Sequence, residues 1–258
     1  TSAWKRKTGV WLTHWGSCCS NSHFRKAFAM MPHPPLLITI DGPAGAGKTT
    51  ISRLLSARLD YDYIDTGALY RAVALAAETA GIDAHDSQGL EALCKGLRLA
   101  FRRKDGELRL FSNGVDVSDR LRTPELTMLA SAISAQPAVR TYLLKVQREL
   151  GEAKEAVFEG RDMGTVVFPH ADVKFFLDAD LDVRARRRFE ELVPAGSQAL
   201  DQVRDQMRQR DENDSRRSLA PLKAADDAIR IDSTALGLEA VIEKMLSSIA
   251  DRAGSPSR

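Results

Sequence analysis

Gly42-Pro43-Ala44-Gly45-Ala46-Gly47-Lys48-Thr49 decides how the chain is read. The octet fits the pattern GxxxxGK[ST] in full. Before it, PLLITID (Pro35–Asp41) is a short apolar run ending in an acid, which reads as a buried parallel strand. After it, Ile51, Leu54, Leu55 and Leu59 recur at i, i+3, i+4 and i+8, one face of a helix. Strand, glycine loop and helix together make a phosphate cradle. Glycines let successive N–H groups converge on one point, and the helix N-terminus adds partial positive charge there. Lys48 is placed to reach β- and γ-phosphates, and the Thr49 hydroxyl to hold Mg2+. The octet, with Thr50 beside it, is therefore the expected site of a nucleoside triphosphate. It does not say what receives the phosphoryl group, or whether water does.

Outward from the loop, strand and helix alternate. Tyr61–Ile64 reads as a second strand, Gly67–Ala80 as an alanine-rich helix and 88–95 as a short one. The pattern then changes. Leu97–Arg102 and Glu107–Phe111 alternate around Lys104-Asp105-Gly106, and Asn113-Gly114 makes a second turn before Val115–Val117. Thr123-Pro124-Glu125 opens a helix, with threonine as N-cap and proline at the first position. A second helix runs from Pro137 to Leu150. Alternation returns with Ala156–Glu159, Val173–Leu177, the charged helices Leu181–Leu192 and Gln198–Arg210, the strand Ala228–Ile231 and an amphipathic helix from Leu238. The expected fold is α/β: a doubly wound parallel sheet flanked by helices, interrupted by a small antiparallel three-stranded insert.

Composition narrows the class. Of 258 residues, 43% are hydrophobic and 28% charged, a globular balance. No apolar run approaches the roughly 18 residues of a membrane-spanning helix. The formal charge is +2, unevenly spread: residues 1–33 carry +5 with no acid, and the remainder holds 32 basic against 35 acidic residues, a net of −3. A mildly acidic body argues against general nucleic-acid binding. Cys18, Cys19 and Cys94 form no CxxC and no disulfide framework, which reads as free thiols in a reducing cytoplasm. All three tryptophans lie in the first 15 residues, where no helical or strand period organises them. Residues 1–33 are expected to be a disordered leader outside the domain, with Met30 or Met31 as the natural start. A mitochondrial transit peptide is the competing reading of that basic stretch.

Two further segments carry chemistry. Asp65-Thr66-Gly67-Ala68-Leu69-Tyr70-Arg71 follows the second strand, with Thr66 a candidate helix cap and Arg71 placed to project into a cleft or to lie on the surface. Gly160-Arg161-Asp162-Met163-Gly164-Thr165 follows a strand ending in Glu159. Ligands of open α/β sheets sit at the carboxyl ends of strands. Two acids and an arginine there suit a cationic or amide-bearing base together with an anion; a charged turn with internal ion pairs is the plainer alternative. Ser131 lies ~150° from the stripe Leu126, Leu129, Ala130 and Ile133 at ~100° per residue, so it faces a cleft or solvent.

Taken together, ITIDGPAGAGKTT, YIDTGALYR, EGRDMGTVVFP and RDENDSRRSLAPL, with the hairpin-bearing insert, resemble the bacterial cytidylate kinase family. The likeness spans about Leu36 to Ser248, and the 225 residues left without 1–33 are an ordinary length for that family. It implies phosphorylation of CMP and dCMP by ATP with Mg2+. It also implies one kinase domain over 34–258, with a core (34–84, 150–183 and 218–258), an insert that binds the monophosphate (about 85–149) and a helical lid (about 184–217). By the same resemblance Thr66 contacts the monophosphate nucleotide, and Arg71 and Arg161 bind its phosphate. Ser131 and Asp162 meet the cytosine, and Arg140 lies by its amide edge. Arg210, Asp214 and Arg217 supply a phosphate arginine, a ribose-binding carboxylate and a second arginine. Glu159 stands where some relatives carry aspartate. The family suggests a monomer. Another small-molecule kinase, for a different monophosphate or for shikimate, is the alternative.

A monophosphate acceptor is already mostly ionised at neutral pH, with a second pKa of ~6, so it needs no general base. His85 and His170 fall in a loop and a turn. Catalysis is then expected from charge compensation and in-line positioning. Lys48, Arg161, Arg187 and Arg188 are the expected catalytic cations, the last two from a cluster that also holds Arg184 and Arg186, ahead of a lid turn at Pro194–Ser197. From 184 to 217 nine arginines face seven acids, so the lid is charged yet nearly balanced.

Overall fold

The structure, a computed structural model, describes residues 35–192, 199–217 and 219–253. The expected leader and the expected lid turn at Pro194–Ser197 lie outside the described residues. The chain runs β1 (Leu37–Asp41), α1 (Lys48–Leu59), β2 (Asp62–Asp65), α2 (Thr66–Thr79) and α3 (Ser87–Gly96). Then come β3 (Leu99–Lys104), β4 (Glu107–Ser112), β5 (Val115–Asp116), a 3-10 turn (Ser118–Arg120), α4 (Pro124–Ile133) and α5 (Pro137–Gly151). The rest is β6 (Ala156–Glu159), a π-helical turn (Met163–Val167), β7 (Val173–Asp178), α6 (Leu181–Leu192), α7 (Leu200–Arg216), β8 (Ile229–Asp232) and α8 (Leu238–Ala253).

Five strands form a parallel sheet in the order β2-β6-β1-β7-β8. Every residue of β1 and β6 is buried. Strands buried along their whole length require cover on both faces, and the flanking helices provide it. The register pairs Ile40 with Glu159 and Glu159 with Asp65. The carboxyl ends of β1, β6 and β2 are thereby level, and the segments after them share one edge.

The insert is a separate antiparallel sheet, β3-β4-β5. Its turns are Asp105-Gly106 (φ 51° and 86°) and Asn113-Gly114 (φ 49° and 85°). Positive φ at both central residues is the hairpin geometry whose twist matches the strands. This sheet, α2, α3, α4 and α5 close over one apolar cluster that includes Leu69, Leu90, Leu110, Ile133 and Leu143. A second cluster joins Leu37, Ile64, Phe158, Met163 and Phe168, with the last's ring edge-on to Phe158 at 4.6 Å. A third joins Ala185, Val203 and Met207 with Ala44 of the glycine loop.

Two details differ from expectation. The cap of α2 is Asp65, whose carboxylate accepts from Ala68 N at 3.1 Å. The Thr66 hydroxyl donates instead to the Glu159 carbonyl at 2.6 Å, because β6 lies beside β2 and brings that acceptor within its reach. Helix α7 also runs six residues past Arg210, to Arg216. Its last turns carry no apolar stripe and are held through the ion pairs of Asp211 and Asp214. Thr123 caps α4 as expected, accepting from Leu126 N at 3.2 Å.

Candidate active site

The loop between β1 and α1 has Gly42, Gly45 and Gly47 at φ 147°, 74° and 88°. Gly42 admits no side chain: a Cβ there would fall 1.9 Å from the Leu177 carbonyl oxygen of β7. The first turn of α1 has no side-chain cap, so its amides remain available to an anion. Lys48 is buried and donates from Nζ to the Pro43 carbonyl at 2.6 Å. Burial, with Arg161 nearby, lowers its pKa to about 7. Thr49 and Thr50 are exposed at the helix start.

Beside this loop, the end of β6 gathers several contacts. Glu159 accepts from Thr49 Oγ1 at 2.8 Å and from the Tyr63 hydroxyl at 2.6 Å, while its carbonyl takes the Thr66 hydroxyl. Burial and the adjacent carboxylates push the Tyr63 phenol well above its ordinary pKa. Asp41, at the end of β1, accepts from the main-chain N–H groups of Met163 at 2.8 Å and Gly164 at 2.7 Å. Its pKa is raised to about 6 by burial, against those two hydrogen bonds.

The guanidinium groups form the next layer. Arg71 pairs with Asp65 at 2.7 Å, in space that Gly67 leaves open. Arg140 pairs with Asp162 and donates to the Ser134 carbonyl at 3.2 Å. Arg161 pairs with Asp214 at 3.1 Å, and Arg217 pairs with the other oxygen of Asp214 at 2.5 Å. Arg210 is held down to about 10, first by burial and then by Arg161. Asp162 is raised by burial, against Arg140, Arg217 and Arg161. The buried Nε groups of Arg71 and Arg210 find no hydrogen-bond partner among the described residues. Unpaired buried donors on cations are what a bound phosphate would satisfy.

The structure thus brings Lys48, Thr66, Arg71, Arg140, Glu159, Arg161, Asp162, Arg210, Asp214 and Arg217 to one side of the glycine loop. Ser131 is half-buried on α4, and its carbonyl accepts from Ser134, the residue whose own carbonyl holds Arg140. Two expected catalytic arginines make other contacts in this structure. Arg187 donates to the Ser233 carbonyl at 2.8 Å, and the Ser233 hydroxyl bonds Ala46 O of the loop at 3.3 Å. Arg188 pairs with Glu191 on the exposed face of α6. Sequence reading passed over Asp41 and Tyr63. The signal for Asp41 is its place between an apolar strand and the glycine loop. Tyr63 becomes visible only once β2 is known to lie beside β6.

Mg2+ favours a few oxygen ligands completed by phosphates and water. The Thr49 hydroxyl and Glu159 carboxylate, in contact beside the loop, suit that chemistry. Among the described residues no group of three or more His, Cys, Asp or Glu side chains forms a metal cage. No described helix is long and apolar enough to cross a membrane.

Comparison with known proteins agrees with this geometry. The profile of the family described as Cytidylate kinase matches residues 38–251. The cytidylate kinase of Syntrophotalea carbinolica is 50% identical over 218 residues, covering 84% of this chain and 93% of its own. That of Geobacter sulfurreducens is also 50% identical, covering 84% and 94%. That of Stutzerimonas stutzeri is 43% identical over 225 residues, covering 86% and 98%.

Proposed function

The chain belongs to the cytidylate kinase family, and from that premise we propose that it transfers the γ-phosphoryl group of ATP to CMP or dCMP, giving CDP or dCDP and ADP. One observation carries the reading: Glu159 ends β6 and Arg161 and Asp162 follow it, and β6 is hydrogen-bonded to β1, whose end opens into the glycine loop. Donor and acceptor elements therefore issue from neighbouring strands at one edge.

In this reading the loop amides and Lys48 hold the β- and γ-phosphates. Arg71, Arg161, Arg210 and Arg217 hold the acceptor's phosphate. Asp162 and Arg140, with Ser131 nearby, face a base that carries both an amino donor and carbonyl or ring-nitrogen acceptors. Asp214 lies where a sugar hydroxyl would bond. Mg2+, held by Thr49 and Glu159, would neutralise charge on the transferring group. The acceptor oxygen is already ionised, so no side chain need remove its proton. What the chain must supply is the approach of two polyanions in line, through buried cations that attract both. Packing of α6 and α7 over the loop would exclude water, the competing acceptor. The insert supplies Ser131 and Arg140, and the lid helices supply Arg210, Asp214 and Arg217. We place the reaction in the cytoplasm and expect a monomer.

The test is a coupled assay with Mg2+ and ATP against CMP, dCMP, UMP, AMP and shikimate. Conversion of CMP and dCMP well ahead of the others is expected. Folded protein that leaves CMP unconverted would refute the reading.

A further inference from the structure

Helix α7 presents two adjoining stripes to two different parts of the site. Met207 and Asp211, at i and i+4, face the glycine loop. Arg210 and Asp214, with Arg217 one residue beyond the helix, form a neighbouring stripe about 70° around the axis, taking roughly 100° per residue, and face the acceptor cations. The loop-side stripe is tied down by Arg184 of α6. This guanidinium is buried and makes three contacts: Nε donates to the Ala179 carbonyl at 2.8 Å, and Nη1 donates to the Ala44 carbonyl at 3.1 Å and to Asp211 Oδ2 at 2.5 Å. Met207 packs so closely that a Cβ on Gly45 would fall 2.6 Å from its methyl carbon. One side chain thus joins the main chain of the donor loop to the helix that carries Arg210 and Asp214.

We propose that Arg184 and Asp211 are positioning residues, a pin through which occupancy of the glycine loop and occupancy of the acceptor pocket strengthen each other. A triphosphate that orders the loop fixes the Ala44 carbonyl, Arg184 and the rotation of α7, and with them Arg210, Asp214 and Arg217. The influence runs equally in reverse, because coupling between two binding equilibria is reciprocal. A carboxylate on a buried guanidinium suits this role, since its geometry is directional and loss of one partner leaves the other charge uncompensated.

The inference rests on the proposed function, and its test separates the two. CMP binding to the full chain is measured by calorimetry without and with saturating Mg2+ and a non-hydrolysable ATP analogue. CMP turnover is followed on the same preparations. The wild-type protein should bind CMP more tightly when the analogue is present, within the about 5- to 150-fold range usual for such coupling. Asp211→Asn keeps the shape and removes the charge. It should bring that ratio down to within about twofold of unity, while analogue binding alone changes far less. Asp211→Glu, which keeps the carboxylate, should restore most of the ratio. Arg184→Lys keeps a cation but not the two-pronged reach, and should behave like Asp211→Asn. A wild-type ratio of one overturns the pin. So does an unchanged ratio in both Asp211→Asn and Arg184→Lys, or a loss in Asp211→Glu as large as in Asp211→Asn. No turnover by folded wild-type protein overturns the functional reading instead.

Discussion

Thr49 at the start of α1 and Glu159 at the end of β6 are joined side chain to side chain, the hydroxyl donating to Oε1 at 2.8 Å. The second oxygen of Glu159 is held by Tyr63. The carboxylate is therefore oriented from both sides. Glu159→Gln should raise the Mg2+ concentration needed for half-maximal rate by about 10- to 100-fold. Tyr63→Phe should shift it in the same direction by less. Initial rates against Mg2+ at fixed ATP check both, and an unchanged Mg2+ requirement in Glu159→Gln would exclude that carboxylate from the metal site.

Lys48 belongs to the glycine loop itself and is buried against Pro43 O. Lys48→Ala should lower kcat by about 10²- to 10³-fold, the usual loss when a preorganised charge is removed from a developing anion. CMP affinity, measured by calorimetry, should change little. A comparable loss of CMP binding would assign the lysine to the acceptor instead.

Asp162 and Arg140 form a buried pair, with side chains 5% and 12% exposed. Asp162→Ala leaves the guanidinium with the Ser134 carbonyl and the face of the Tyr70 ring. It should raise KM for CMP by more than KM for ATP, and lower stability by about 3–5 kcal/mol, the usual cost of stranding one member of a buried pair. Steady-state kinetics with each nucleotide, beside urea unfolding, separate the two effects. Equal increases in both KM values would count against a base-recognising role.

Asp41 gives a pH signature. Its carboxyl titrates near 3.8 when unfolded and is raised to about 6 in the fold. Between those values the folded state binds more protons, so the stabilisation present below 3.8 is lost as pH rises through about 6, at up to roughly 1.4 kcal/mol per pH unit. Asp41→Asn should remove this downward trend from the pH 4–6 window. Urea unfolding at pH 4.5 and 6.5 measures it; an unaltered difference between wild type and variant would show that Asp41 is ionised at both.

The glycine loop, its strand and its helix were legible because all their signals are local: an apolar run, turn residues, a helical period. The insert's turns were legible for the same reason. Strand order was not, since nothing near β6 in the chain announces that it lies between β1 and β2. That hidden adjacency gives the Thr66 hydroxyl its acceptor, the Glu159 carbonyl, while Asp65 caps α2. It also decides that Tyr63 reaches Glu159. The end of α7 was hidden differently: beyond Met207 its residues are polar, so apolar periodicity is silent where ion pairs hold the helix. Arg184 stood out as one of a cluster, but its bond to Ala44 depends on the docking of α6 against the loop.

The smaller sheet shares no strand with the larger one. Its hairpin can lengthen, shorten or exchange residues over generations without breaking the ladder that sets β6 beside β1. The hairpin packs against the same apolar cluster as α4 and α5, so such changes are felt first by the helices bearing Ser131 and Arg140. Under the proposed function, a lineage built this way can retune which base it admits while inheriting intact its grip on the triphosphate.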